Sequence, residues 1–345
     1  MKFIQLLILV LLGSSCTQTL DYKSKTYQNA IYHFENENYD STRIILLTAA
    51  RTLKLPDTAL HYLAICYHLK NDRDSAIYYW KKATTQNPKF ELGYYNLGLM
   101  HTYNGDNNKA IEYYDKAIDI DPKSKKALYN KATILFDRNE LNKALRLCER
   151  AVSADSNYVL PYGLMGQIYF TLGLPDSAYL VNSKLVELEP ENPEYLFYLA
   201  ISESDLGNTK KSIEIYSKSI EINPANNPSY FNRATLYHGI QKFDLAKRDY
   251  RTTLKYEPNE VECLVRLSWI YQEENQLDSM RTELEAAIKI DSTYSDAYLY
   301  LGDYYRRTNR ESRACELYQK AVDLNNQRAI ERLKNGCNNG ENKSS

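Results

Sequence analysis

The sequence predicts an all-α fold in which one helical hairpin is repeated along the chain. Three observations carry this. Small residues recur at a strict spacing of 34: Ala64, Gly98, Ala132, Gly166, Ala200, Ala234, Ser268 and Gly302. A second small series follows twelve residues behind, at Ala76, Ala110, Ala144, Ala178, Ser212, Ala246 and Ala314, with Met280 the exception. Pro88, Pro122, Pro190, Pro224 and Pro258 fall on the same grid, with Ser156 and Ser292 at the missing places. A fixed period of this length is the mark of stacked supersecondary units. Repeats begin at residues 57, 91, 125, 159, 193, 227, 261 and 295. A weaker one fits at 23, with Ala30 and Ala49 in register and Thr42 at the second small site. Nine repeats thus span 23–328 without an insertion or deletion.

Composition agrees. For 345 residues, a count of 12 Gly and 10 Pro is low, and 32 Tyr is high. A doubly wound α/β enzyme spends glycine on turns and phosphate loops, so this balance points away from one. Forty-three basic residues against 44 acidic leave a formal charge of −1. That argues against a nucleic-acid binder held by a global positive field.

Within a repeat each element has a local cause. Positions 4, 7, 8 and 11 lie on one face of a first helix, as in Tyr298, Leu301, Gly302 and Tyr305. Position 15 is Gly or Asn in seven repeats, residues that tolerate the left-handed backbone closing a helix. Position 18 is Asp, Asn or Ser in eight, from Asp40 and Asp74 to Ser312, and is expected to cap the second helix. Pro at position 32 is expected to stop it. Small residues at 8 and 20 let the two helices approach, and aromatics at 4, 11 and 24 are expected to fill the space between repeats. Each hairpin must stack on its neighbours to bury its faces.

The grid resembles the tetratricopeptide repeat, most fully at 91–124 and 295–328, where an aromatic-x-x-Leu-Gly run, completed by Tyr305 in the second and by His101 in the first, is followed by Ala and an aromatic. The resemblance implies a right-handed superhelical solenoid whose first helices line a concave groove. Beyond the repeats, Ala329, Ile330 and Leu333 form a stripe closed by Gly336, which reads as a capping helix over 329–337. Residues 338–345 read as a frayed tail.

The chain opens MKFIQLLILVLLGSSC: a basic residue, ten apolar residues, then small residues before Cys16. Ten apolar residues are too few to cross a bilayer as a helix, which takes about 20. The pattern is a secretory signal peptide. With Cys16 directly after the small residues it resembles the lipobox of bacterial lipoproteins, departing from it at Gly13, where Leu is usual. The resemblance implies a signal peptide over 1–15, lipidation of Cys16, and a short polar linker to residue 22. It places the protein in the bacterial cell envelope, lipid-anchored and facing the periplasm, with the outer membrane favoured over the inner.

No catalytic equipment is legible. The sequence has no Gly-rich phosphate loop, no HExxH and no CxxC. His61 and His68 stand seven apart on one helical face, but no third ligand sits at helical spacing from them. No enzyme activity, cofactor, metal or small-molecule substrate is expected. Cys315, early in the last second helix, and Cys337, just after the cap helix, are a candidate disulfide. Similar pairs end many exported repeat proteins that resemble this one. The bond requires Cα atoms within about 7 Å; otherwise both thiols are free.

The family resemblance puts partner contacts at positions 2, 5, 9, 12 and 13 of the first helices. Position 5 supplies Tyr27, His61, Tyr95, Tyr129, Phe197 and Phe231. Position 12 supplies Phe34, His68, Phe136, Phe170 and His238, and position 9 supplies Trp269. This broken aromatic stripe suits an extended or helical peptide segment, although Tyr at position 5 is also a common scaffold residue of the family. Charge is zoned: residues 123–150 carry eight basic and three acidic residues, and 257–285 carry eight acidic and two basic. Arg306, Arg307, Arg310 and Arg313 form a basic patch near the last hairpin turn. Such runs are either solvated faces or docking patches. The expected function is a non-enzymatic, membrane-tethered scaffold for other envelope proteins. Proteins that combine a lipobox with these repeats include outer-membrane assembly factors, pilotins and adaptors of cell-wall hydrolases. The alternative is a glycan or cell-wall binder using the same stripe.

Overall fold

The computed structural model describes residues 25–52 and 54–337. The leader, Cys16, the linker and the tail from 338 lie outside the described residues. Among the described residues there are nineteen helices and no strand. They are α1 (Lys25–Glu35), α2 (Tyr39–Ala49), α3 (Asp57–Leu69), α4 (Arg73–Gln86), α5 (Glu91–Tyr103), α6 (Asn107–Ile120), α7 (Lys125–Asp137), α8 (Leu141–Ala154) and α9 (Val159–Thr171). There follow α10 (Pro175–Leu188), α11 (Pro193–Asp205), α12 (Thr209–Ile222), α13 (Asn227–Gly239), α14 (Phe243–Tyr256) and α15 (Val261–Glu273). The last are α16 (Leu277–Ile290), α17 (Ser295–Arg307), α18 (Glu311–Asp323) and α19 (Gln327–Gly336). From the second repeat on, every first helix occupies positions 1–13. The chain divides into two compact bodies between Leu164 and Met165, inside α9. Within each body, the second helix of one repeat packs on the first helix of the next.

The hairpin turn is the same in all nine repeats. Position 15 takes a positive φ throughout, between 57° and 78°. Asn71, Asn139, Asn275, Asn309 and three glycines were expected there; Glu37 (φ 58°) and Gln241 (φ 59°) adopt the same conformation without the side chain that favours it. Because position 15 reverses the chain in one residue, the second helix starts sooner than its sequence suggested. The N-cap is position 16, as at Asp72 and Asp106, whose carboxylates accept from Ser75 N (3.1 Å) and Lys109 N (3.3 Å). The position-18 residues are therefore not caps. Asp40, Asp74, Asp176, Asp244 and Asp278 sit inside the first turn, where a carboxylate meets the positive end of the helix dipole.

Proline does not end the second helices by itself. They stop at position 30 with an extended residue at 31, in repeats with Pro at 32 and in the two with Ser156 or Ser292. In five of these seven repeats, including both that lack the proline, the cause is an Asx turn; in the other two position 31 is Glu189 or Glu257, ahead of a proline. Asn87, Asp121, Asp155, Asn223 and Asp291 each accept, through the side-chain oxygen, from the backbone N–H two residues on, at 2.8–3.1 Å.

Position 24 packs inside its own hairpin as well as toward the next repeat, where Trp80 shares a core with Leu97 and Met100 and Tyr250 one with Cys263 and Leu267. Trp80, Tyr114, Tyr216, Tyr250 and Tyr318 are fully buried against the small residue at position 8. A Cβ on Gly98 would stand 2.6 Å from the Tyr114 ring, and one on Gly302 2.5 Å from Tyr318. Each buried ring of this size contributes roughly 2–3 kcal/mol, and its hydroxyl is not left orphaned. Tyr318 donates to Asp303 Oδ1 (2.8 Å), while Tyr114 and Tyr250 bond Thr102 and Thr235 at 3.0 and 3.1 Å. The second small site has its own logic where it is polar. Thr42 and Ser212 donate to the carbonyls of Ala30 (3.2 Å) and Ala200 (2.6 Å), pinning the two helices together. In the repeat at 261 the aromatic is replaced by Leu284, and the larger Met280 at position 20 is buried beside it in the same core.

Candidate functional site

The candidate residues stand on the first helices, and each body presents its own set. In the first body, His61 is held by its own hairpin: Trp80 donates its indole N–H to His61 Nδ1 at 2.9 Å. Burial pushes the His61 pKa down to about 4, so the ring is neutral at pH 7 with its proton on Nε2. His68 stacks on Tyr103, rings 6.2 Å apart, and Arg73 lies over the far ring at 6.0 Å. Burial, then the Arg73 charge, lowers the His68 pKa. The two histidines share one face but carry no third ligand; among the described residues no group of three His, Cys, Asp or Glu could hold a metal ion.

The tyrosines of this body are anchored from behind. Tyr95 leans on Tyr114 and its hydroxyl accepts from Asn130 Nδ2 at 3.3 Å; burial raises its pKa. Tyr129 meets Tyr158 edge-on at 5.9 Å. Tyr27 and Phe136 are half-buried, whereas Phe34 is enclosed at 8% exposure between Tyr39 and Tyr62. Phe34 presents little surface to a partner.

In the second body, Phe197 and Phe231 lie against Tyr216 and Tyr250 at 5.9 and 5.7 Å. They are walls of the hairpin before they are walls of a site. Phe170, by contrast, is 66% exposed. His238 Nε2 sits 3.2 Å from Glu273 Oε1. The densest arrangement is around Trp269. The Arg266 guanidinium lies 4.5 Å above its ring, held by Glu262 at 2.7 Å. Tyr300 meets Trp269 edge-on at 5.3 Å. Arg328 donates to the Tyr300 hydroxyl at 2.8 Å and to Asp296 at 2.6 Å. The Trp269 indole N–H has no acceptor. Two guanidiniums and two rings are thus fixed in sequence, a surface for carbonyl or carboxylate acceptors beside apolar groups.

Sequence reasoning named Trp269 as a candidate and did not name Arg266, Tyr300 and Arg328, which pack with it. The one signal was at position 6, where Arg266 is the single charged residue among Gln28, Tyr62, Asn96, Asn130, Leu164, Tyr198, Asn232 and Tyr300.

The remaining candidates resolve simply. Cys315 and Cys337 are bonded, with Cα atoms 5.7 Å apart, tying α19 to α18. Cys66, Cys148 and Cys263 are buried, their thiols pushed up to about 12 by burial. They are packing residues, not nucleophiles. Of the basic patch, Arg306 and Arg313 pair with Asp303 (3.6 Å) and Glu316 (2.5 Å), Arg310 covers Tyr305, and Arg307 is exposed. No helix among the described residues is long and apolar enough to cross a membrane.

Solved structures share this architecture. YrrB, described as a TPR protein with an unusual peptide-binding site, matches at 18% identity and TM-score 0.50, covering 54% of this chain and 95% of its own. The C-terminal part of a TPR repeat-containing protein from Cytophaga hutchinsonii matches at 16% identity and TM-score 0.52, covering 79% and 97%. Pseudomonas aeruginosa PilF matches at 18% identity and TM-score 0.50, covering 59% and 92%. Models of the tetratricopeptide repeat match residues 92–124, 113–146, 194–226, 228–260, 261–294 and 295–328, more than half of the chain. Repeats of this kind support a protein–protein interaction scaffold. By its period, its hairpin geometry and these matches, the chain belongs to the tetratricopeptide repeat family.

Proposed function

We propose that this protein is a non-enzymatic adaptor of the bacterial cell envelope, tethered through lipid on Cys16 and facing the periplasm. Its first-helix face binds an extended or helical segment of a partner protein. The observation that carries this is the Arg266–Trp269–Tyr300–Arg328 array. Rings and guanidiniums already fixed by Glu262 and Asp296 lose little freedom on binding, so their contacts are not offset by ordering costs. The peptide-binding site named for YrrB is consistent with this use of the fold.

The test is affinity purification from envelopes of the native host, comparing the natural chain with Trp269→Ala/Arg266→Ser. Partner proteins recovered with the first and lost with the second support the assignment. Partners recovered equally with both overturn it, and retention of isolated glycan strands in place of proteins selects a cell-wall-binding module.

A further inference from the structure

We propose that the outer face of the first two repeats lies against an anionic phospholipid surface. Over positions 19 to 34, the second helix after its first two residues and the loop that follows, seven repeats carry two to four acidic residues each. The first two carry none. Residues 41–56 hold Arg43, Arg51 and Lys54, and residues 75–90 hold Lys81, Lys82 and Lys89. Six positive charges without a negative one, in a chain of net charge −1, are a local departure that the hairpin fold does not require.

Geometry places apolar groups among these charges. Position 22 of the second helix points outward. It is Glu112, Arg146, Glu214, Arg248, Thr282 and Glu316 in six later repeats. In the first two it is Ile44 and Tyr78, 59% and 58% exposed. Tyr78 lines a shallow depression of about 510 Å³ with Lys54, Lys81, Lys82, Thr85 and Gln86. Lys54, Lys81 and Lys82 are exposed and have no ionic partner among the described residues. Asp40 and Asp74 stand in the first turn of the two helices, where Asp40 is engaged by Lys70 and Arg43, and Asp57, three residues after Lys54, accepts from Asn87. The remaining apolar residue at position 22, Leu180, is 68% exposed but is followed by Glu187, Glu189 and Glu191, which a negative surface would repel.

An aromatic and an aliphatic side chain among unpaired lysines is the composition that sits at a lipid headgroup layer. The choice of a membrane over another acidic surface rests on the anchor proposed at Cys16. Nine Cα steps separate Cys16 from Lys25, a reach of at most about 30 Å, so an anchored chain holds the start of its first repeat within that distance of the bilayer. One acyl anchor then confers local concentration, and the basic face sets the orientation.

The experiment is co-sedimentation of residues 17–345, which keep every described residue and carry no lipid, with vesicles of phosphatidylcholine alone or with 30% phosphatidylglycerol. Binding to the mixed vesicles and not to the neutral ones is expected. A lysine near an anionic surface is worth about fivefold, so Lys54→Glu/Lys81→Glu/Lys82→Glu should weaken binding by more than tenfold, and Tyr78→Ser by a few-fold. All four side chains are exposed, and unchanged melting confirms folding. Lys143→Glu/Arg146→Glu, in the fourth repeat, should bind as the natural chain does. Absence of binding to the mixed vesicles, equal binding to both, or retention by the triple variant overturns the proposal. The anchor is tested separately by the mass of the mature N-terminus.

Discussion

The two bodies of this chain follow one repeat grid and close their hairpins with different chemistry. In residues 25–164 no charged side chain is among the buried polar residues, which are Thr42, Thr84, Asn96 and Ser124. Its fully enclosed polar contacts join neutral groups, as where His61 accepts from Trp80 and Tyr95 from Asn130, and its carboxylates, such as Glu91 accepting from Ser124, keep partial exposure. In residues 165–337 the buried polar set includes Glu203, Arg233, Asp249, Glu283 and Asp303. Arg233 grips Asp249 with two bonds of 2.7 and 3.0 Å, and Lys211 reaches Glu203. The disulfide is also here. A 34-residue period fixes where helices go, not what kind of bond joins them. The first body should therefore respond to acid through histidine, and the second to loss of a charge or to reduction.

The largest effect is expected at Asp249. Asp249→Ala leaves the Arg233 guanidinium buried without its partner, which costs about 3–5 kcal/mol. Arg233→Met/Asp249→Leu should recover most of that, because the pair is no longer buried half-made. Chemical unfolding of the three variants measures it, and a single substitution costing under about 1 kcal/mol would show that the pair is solvated.

Next is the disulfide. The cysteines are 22 residues apart, and opening a loop of this size costs about 3 kcal/mol. Cys315→Ser/Cys337→Ser should speed amide hydrogen exchange in α19 and α18 while leaving α3 and α4 unchanged. Uniform acceleration would contradict a local staple.

Acid should act on the first body. Folded His61 has a pKa of about 4, against about 6.5 unfolded. Between those values the unfolded chain binds more protons, so stability rises with pH there and is lost on acidification. Lowering the pH from 7 to 4 should cost about 2–3 kcal/mol at this site. His61→Gln, which keeps an acceptor for Trp80, should flatten that part of the urea-midpoint profile. The smallest effect sharpens the comparison at the one feature both bodies share. Glu37→Gly and Gln241→Gly, each at positive φ, should stabilise their bodies by about 1 kcal/mol.

The repeats, their boundaries and the left-handed turn were legible in the sequence because small residues, glycine and asparagine have few other uses at fixed spacing. The cap was misplaced by two residues because Asp at position 18 and the residue at position 16 both suit a helix start, and only the turn geometry chooses between them. The Asx turn at Asp155 and Asp291 was masked by the more conspicuous prolines. At the site, Trp269 was legible by position. Arg266 and Arg328 were not, since arginine on a helix surface reads as solvated until a ring is found beneath it. The aromatics of position 5 carried a double meaning that only packing resolves: Phe197 and Phe231 lean on buried tyrosines and are poor choices for a binding test.

The central claim is that the first-helix face receives the partner. A photo-activated crosslinking residue placed at Tyr300, on that face, and separately at Leu180, on an outer helix face, tests it most directly in intact cells. The account predicts a discrete protein adduct from position 300 that disappears with Arg266→Ser, and none from position 180. Adducts from position 180 alone would contradict it.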